Sequence, residues 1–325
     1  MFITTKIKSR NNLLSMKDKP LNMKEIHISP NCYICNSKES KFIFYKQKYS
    51  FFKCINCGFV FVYPRPSNKI LLKYYSHFDY SEGDRVETRI RFDAKKSLNF
   101  INKYIPFHGS LLDLGCGRGY FMDEAETYGW YTRGIDYSNE IVSFAKKTLK
   151  LDVSKMNINS LHETKVFDLV TMKQVIEHID KPLNLMRSVR KNIRKEGYIY
   201  IITPNYGSAS SKVFGQDFEH LIPPEHINYF SKKSLSFLLN RSGFKIISMN
   251  TWGYPENLAG IIKKYIKRNN SITNNAVLSS KQDIKSSKSN NIKYFMFDQI
   301  FCGTLYKILD HLGIGINIQV IAQKI

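Results

Sequence analysis

Cys32-Tyr-Ile-Cys35 and Cys54-Ile-Asn-Cys57 are two CxxC pairs separated by eighteen residues, and they hold four of the six cysteines in a chain of 325 residues. Thiolates are soft, strong donors, and in a reducing cytosol four of them at this spacing favour a closed tetrahedral zinc site over disulfides. A site closed by four cysteines keeps no open position for substrate, so the expected role of Zn2+ is structural. It staples residues 31–66, a module too short for its own core, in which Lys41–Tyr45 and Phe59–Tyr63 read as strands. Cys116 and Cys302 remain as ordinary buried thiols.

A second chemistry is written in Leu111-Leu-Asp-Leu-Gly-Cys-Gly-Arg-Gly-Tyr-Phe121. The apolar run at Leu111, Leu112 and Leu114 reads as a buried parallel strand, and Phe121, Met122 and Ala125 then recur at helical spacing. Gly115, Gly117 and Gly119 therefore occupy a strand-to-helix turn, where the missing Cβ atoms permit left-handed backbone and let a ligand approach the helix N-terminus. The following strand, Trp130–Asp136, ends in a carboxylate about 20 residues on, the place from which a βαβ unit holds a ribose diol. The pair specifies a nucleotide-cofactor site.

A third candidate is Phe218-Glu-His-Leu-Ile-Pro-Pro-Glu-His-Ile-Asn-Tyr-Phe-Ser231. Its two prolines stiffen a loop, and Ser231 caps a helix carrying Leu235, Leu238 and Leu239. Glu225 and His226 are ionisable groups held just before that helix, suited to general-base work. Another such pair, Glu177-His178, precedes the helix that Pro182 opens, and reads as a turn whose histidine is satisfied locally.

The elements that must position these groups alternate. Strands are expected over 110–115, 131–136, 152–157, 167–172 and 197–203, with helices over 119–129, 138–149 and 182–194 and a basic helix near 84–104 leading in. That order implies an α/β, doubly wound Rossmann-like sheet with right-handed crossovers and ligands at the carboxyl ends of its strands. Tyr137, Asn157 or Asn159, and Lys173-Gln174 stand at those ends. Phe244–Trp252 and Ile316–Lys324 read as the last strands, paired antiparallel. Residues 1–30 are polar and aperiodic, a poorly ordered leader, and 67–108 form a helical segment whose Tyr74, Tyr75 and Tyr80 pack between modules or line the acceptor pocket. The main domain spans 109–325 with an insertion over 254–312. There a basic helix, Leu258–Arg268, and an apolar one, Tyr294–Leu312, flank a Ser/Asn/Lys-rich stretch and read as a lid, with peripheral contact to a membrane as the other use.

Lys and Arg total 49 against 27 Asp and Glu, a formal net charge of +22, which draws in anionic partners such as phosphorylated small molecules. No run of 18 apolar residues occurs and no apolar segment follows Met1–Thr5, so a cytoplasmic protein is expected.

The GxGxG spacing, with Asp113 before it and Asp136 after it, resembles class I S-adenosylmethionine (SAM) methyltransferases over roughly residues 85–325. The resemblance implies SAM as cofactor, with contacts from Asp113, Gly115, Cys116 and Gly117 on the turn and from Asp136, Tyr137, Asn157 and Lys173 on the strand ends. The Pro223–Ser231 segment, with the two CxxC pairs and Pro64-Arg-Pro66, resembles the zinc-containing sugar methyltransferases, which implies catalysis by Glu225 and His226, with Tyr229 as the aromatic after them. The acceptor so implied is a sugar nucleotide or a surface or natural-product glycan, methylated at carbon or at oxygen. The basic charge also fits an RNA methyltransferase, but Met172-Lys-Gln-Val follows the fourth strand where amino-methylating nucleic-acid enzymes resemble one another in Asp/Asn-Pro-Pro-aromatic. The third reading is a zinc-stapled scaffold that binds SAM without catalysis.

Overall fold

The computed structural model describes residues 29–67, 70–71, 84–158, 161, 166–253, 310 and 312–325. The expected leader, apart from Ser29 and Pro30, lies outside these residues, as do Tyr74, Tyr75, Tyr80, Asn159, Cys302 and nearly all of the 254–312 insertion.

Residues 29–252 with 310–325 make one compact unit holding two sheets. The larger is built from β4 (Ser110–Leu114), β5 (Tyr131–Asp136), β6 (Val153–Lys155), β7 (Phe167–Lys173), β8 (Ile193–Pro204), β10 (Phe244–Trp252) and β11 (Asn317–Lys324), in the order β10-β11-β8-β7-β4-β5-β6. β4, β5, β6, β7 and β8 pair in parallel, and β11 runs antiparallel to both β8 and β10, as expected for the reversed last strand. Helices α1 (Asp84–Asn102), α2 (Tyr120–Thr127), α3 (Asn139–Thr148) and α4 (Pro182–Lys191) supply the crossovers and the covering layers. The central strands are mostly apolar because both their faces are covered: Leu111 shares a core with Leu98 and Ile101 of α1, and Leu112 and Leu114 with Val170, Met172 and Val189. The order reverses at β4, which lies between β5 and β7, so a crevice opens beyond its carboxyl end, at Gly115. β8 is longer than the expected 197–203 because Ile193 already pairs with Phe167.

The smaller sheet has the order β1-β2-β3-β9: β1 (Ser40–Lys46), β2 (Tyr49–Cys54), β3 (Val60–Tyr63) and β9 (Asn228–Tyr229). β2 escapes a pattern reading because Ser50-Phe-Phe-Lys-Cys54 buries four of its five side chains and does not alternate. β9 comes from the main domain. Val60 pairs with Tyr229 and Phe61 with Asn228, so the four-cysteine module is completed by the segment that carries Glu225-His226. Phe59, Phe61 and the four cysteines also share one apolar core with the large sheet. Helix α5 (Ala209–Phe214) precedes the proline loop, and α6 (Lys232–Arg241) follows it, started by the expected Ser231 cap in a capping box with Ser234. Among the described residues no helix is long and apolar enough to cross a membrane.

Candidate active site

The glycine turn has the conformation its sequence requires. Gly115, Gly117 and Gly119 take φ of 71°, 55° and 85°, left-handed angles that cost a residue with a Cβ about 1–2 kcal/mol. They differ in what a Cβ would meet: at Gly115, Val175 Cγ2 at 2.6 Å, and at Gly119, Leu151 Cδ1 at 2.5 Å, whereas at Gly117 there is nothing within 4 Å among the described residues. Gly117 thus presents main chain to open space, as a cofactor cradle does. Its amide donates to Asp136 Oδ2 at 3.0 Å while the Ser138 amide donates to Oδ1 at 3.0 Å, fixing that carboxylate at the crevice. A carboxylate has about four acceptor sites, so both oxygens retain capacity for a ribose diol.

Asp113 is buried on β4, where Thr171 Oγ1 donates to its Oδ1 at 2.6 Å. Burial pushes its carboxyl up to about 6, against the Thr171 hydrogen bond and the nearby Lys173. Lys173, half-buried at the end of β7, lays its ammonium over the Phe121 ring at 4.2 Å, and burial lowers its pKa while Asp113 and Asp93 oppose that shift. Asp113, Asp136 and Lys173 thus stand at or beside the crevice. Tyr137 is half-exposed just past Asp136, and Asn157 is exposed beyond β6. Cys116 differs from the expected cofactor contact in its side chain: the thiol packs with Met122, Val142 and Ala145, and a Cβ on Gly134 would lie 2.8 Å from its Sγ. What Cys116 offers the turn is main chain.

Across the crevice, Val175 packs on Gly115 and leads into a 3-10 turn, Ile176–His178, that brings Glu177 and His178 against the proline loop. His178 Nδ1 donates to the Glu225 carbonyl at 2.8 Å, and the Ile227 amide donates to the Glu177 carbonyl at 3.0 Å. The His178 and His226 rings meet edge to face with centroids 4.8 Å apart, and the His220 ring stacks on His226 from 6.0 Å. His226 is buried, and its Nδ1 donates to the His220 carbonyl at 2.9 Å. In the neutral ring that hydrogen bond leaves the lone pair on Nε2. Burial, with the neighbouring His178 and His220, holds the His226 pKa well below the ordinary histidine value; burial also lowers His220, to about 4.

The hydrogen bond that fixes the His226 ring is the one Nδ1 donates to the His220 main-chain carbonyl. A carboxylate beside the imidazoles is Glu177: it is 1% exposed, accepts from Thr203 Oγ1 at 3.0 Å through Oε2, and its Oε1, 3.9 Å from His178 Nε2, has no hydrogen-bond partner among the described residues. Burial raises its pKa. The Tyr229 hydroxyl donates to the His226 carbonyl at 2.6 Å and its ring lies beside Phe51 and Tyr206, so it holds the loop in place. Glu177-His178 was legible as a Glu-His pair just past a strand's carboxyl end; nothing in the sequence marks His220, whose contribution is a carbonyl and a ring face.

The four cysteines meet as their spacing requires. Cys32 and Cys57 sulfurs are 3.5 Å apart and those of Cys35 and Cys54 3.4 Å, all four side chains being buried. Disulfides need about 2.05 Å, whereas Zn–S bonds of about 2.3 Å in a tetrahedron set S···S edges near ~3.7 Å. The donor set and its spacing fit zinc.

A methyltransferase-domain family matches residues 86–249, just over half of the chain. Among curated proteins the chain is similar to a ubiquinone biosynthesis O-methyltransferase of Nitrosococcus oceani, 29% identical over 34% of this chain and 53% of that protein. It is also similar to one of Pelagibacter ubique, 27% identical over 48% of this chain and 74% of that protein. The chain spans about half the length of the first of these relatives. A solved structure described as a SAM-dependent methyltransferase, possible histamine N-methyltransferase, from Thermotoga maritima has 16% identity and a TM-score of 0.49, over 78% of this chain and all of that one.

Proposed function

Because this chain belongs to the methyltransferase-domain family, we propose that it is a SAM-dependent methyltransferase acting on a sugar hydroxyl, in a nucleotide sugar or a glycan, with His226 as proton acceptor. SAM, when bound, supplies an electrophilic methyl group on a sulfonium, so the protein's tasks are alignment and removal of the acceptor proton. Asp136 and the Gly117 main chain would hold the nucleoside, with Asp113 and Lys173 beside them. His226, fixed through Nδ1, would take the proton on Nε2, and the Glu177 carboxylate would stabilise the imidazolium so formed.

The observation that carries this reading is the packing of Val175 on Gly115, which sets the Glu177–His178–His226 cluster beside the cofactor turn at one sheet edge. The relatives named O-methyltransferases support oxygen as the acceptor atom. The four-cysteine module joined to the His226 loop, together with the formal charge of +22, supports a phosphorylated sugar acceptor.

The test offers methyl-labelled SAM with separate pools of nucleotide sugars, glycans, phenolic quinone precursors and RNA, to wild type and to His226→Ala. Label in a base-stable methyl ether of a sugar, reduced at least ~100-fold in the variant with SAM affinity intact, is the expected result. Label confined to phenols or RNA would overturn the sugar assignment.

A further inference from the structure

Phe42 and Tyr45 are 46% and 41% exposed on β1, the outer strand of the small sheet, and their ring centroids lie 4.7 Å apart. Strict alternation would send residues 42 and 45 to opposite faces; the bulge between Phe42 and Phe44 returns Tyr45 to the face of Phe42. From there rings continue across the strands. Phe42 meets Phe52 of β2 at 5.9 Å, Phe52 meets Tyr63 of β3 at 5.9 Å, and Tyr33 stands edge-on to Phe61 at 5.2 Å. The far end of the row is polar: Arg65 lies over Tyr33 and reaches the Ile227 carbonyl and Asn228, next to His226, and the Asp180 carboxylate, 32% exposed, stands 3.9 Å from Arg65 Nε. From β1 to β9 is three interstrand spacings of about 4.8 Å, or ~14 Å, the reach of a short oligosaccharide.

We propose that this aromatic row is an acceptor subsite for an oligosaccharide, holding the sugar units behind the one that reaches His226, so that the acceptor is a glycan chain rather than a nucleotide sugar. Platforms for nucleic acid interleave their rings with cations that meet the phosphates. On β1 and β2 the lysines lie elsewhere: Lys41 and Lys53, paired across the strands, alternate with Phe42 and Phe52 and fall on the other face, and Lys46 donates to the Gln216 carbonyl. Rings followed by phenol hydroxyls, a guanidinium and a carboxylate match a sugar chain. The C–H faces of pyranose rings stack on aromatic faces, and planar charged groups pair with their hydroxyls. The row's role in turnover rests on the sugar assignment proposed for the active site; its binding of glycan does not.

The experiment offers hyaluronan, dextran, mannan and rhamnan fragments, from disaccharide to octasaccharide, to the full-length protein without SAM, and measures affinity by calorimetry. Affinity for at least one series should rise at least ~10-fold from disaccharide to hexasaccharide, the scale of two aromatic contacts. The double variant Phe42→Ala, Tyr45→Ala should lose that rise, whereas Phe42→Trp, which keeps a stacking face, should retain it. Both rings are exposed, so the double variant folds; far-UV circular dichroism and bound zinc check it. In turnover of the bound glycan, KM should rise about 10-fold in the double variant with kcat and SAM affinity unchanged. No fragment bound, the same length dependence in the double variant, or tighter binding of polyuridylate RNA than of any fragment at the same salt would overturn the subsite. Binding is read without SAM, so the two assignments fail separately. A fragment held on the row while label enters only phenols would overturn the sugar assignment and the row's role in turnover, and label in a sugar with no fragment bound would overturn the row alone.

Discussion

Arg65 Nη2 donates to Asn228 Oδ1 at 2.7 Å, and through this contact the cysteine module touches both loops of the active site. Arg65 Nη1 reaches the Ile227 carbonyl at 2.6 Å, and its guanidinium lies 3.9 Å over the Tyr33 ring, between the first two cysteines. Asn228 turns its amide the other way, donating to the carbonyls of Ile176 and Ile179 at 2.9 and 2.7 Å, on either side of Glu177-His178. One asparagine thus joins the module, the proline loop and the 3-10 turn.

Asn228→Ala should therefore act on turnover well beyond its size. It strands the guanidinium nitrogen and the buried Ile179 carbonyl and leaves the Ile176 carbonyl only the long bond from the Ile179 amide, so stability should drop by about 2–4 kcal/mol in urea unfolding. SAM affinity should stay within about threefold, because Gly117 and Asp136 are untouched, while acceptor turnover falls more than ~10-fold. A variant with wild-type turnover would show that the two loops hold their positions without this bridge.

Loss of the four-cysteine cluster, whose donor set fits zinc, should reach the same loop by another path. β3 begins three residues after Cys57, and its pairing with Tyr229 depends on the module staying folded. Cys54→Ser should lower bound zinc from one equivalent per chain to near none and lower the melting temperature by on the order of 10 °C, several kcal/mol at about 2–4 °C each. Unchanged melting with zinc absent would mean that the shared apolar core alone holds the module.

The parallel sheet was legible because burial on both faces leaves predominantly apolar runs, interrupted only by Asp113 in Leu111–Leu114 and by Asp168 and Thr171 in Phe167–Met172, and the glycine turn because left-handed angles at 115, 117 and 119 favour glycine. The cysteine cluster was legible from spacing alone. What stayed hidden is whatever depends on pairing across long separations. β9 is two residues long, and nothing local in Asn228-Tyr229 says that it completes a sheet begun at Ser40. The Glu177-His178 pair was legible, but its grouping with His226 was hidden for a related reason, since that histidine, 48 residues past His178, arrives beside it only in the fold.

Asp113 predicts a pH dependence whose sign is fixed by its surroundings. Its folded pKa is raised to about 6, first by burial, against about 3.9 in an unfolded chain. The protonated carboxyl is therefore the one the fold prefers. Its contribution is fully present below about pH 4 and is lost as pH rises through about 6, a change of roughly 3 kcal/mol across that window. Asp113→Asn should flatten that part of the profile in the unliganded protein, measured as urea midpoints from pH 4 to 7. Parallel profiles for wild type and variant would assign the titration elsewhere.

Gly117→Ala separates cofactor binding from folding. Gly115 and Gly119 are crowded, so a methyl group at either collides with Val175 or Leu151, and the fold and the cofactor suffer together. At Gly117 the methyl meets no atom of the described residues within 4 Å, and the cost to the fold is the left-handed angle, about 1 kcal/mol. The same methyl projects into the open space beside the turn, which the proposed function gives to the cofactor. SAM affinity measured by calorimetry should fall at least ~30-fold while the urea midpoint moves little. Equal losses in Gly115→Ala and Gly117→Ala, or full affinity in Gly117→Ala, would place the cofactor away from this turn.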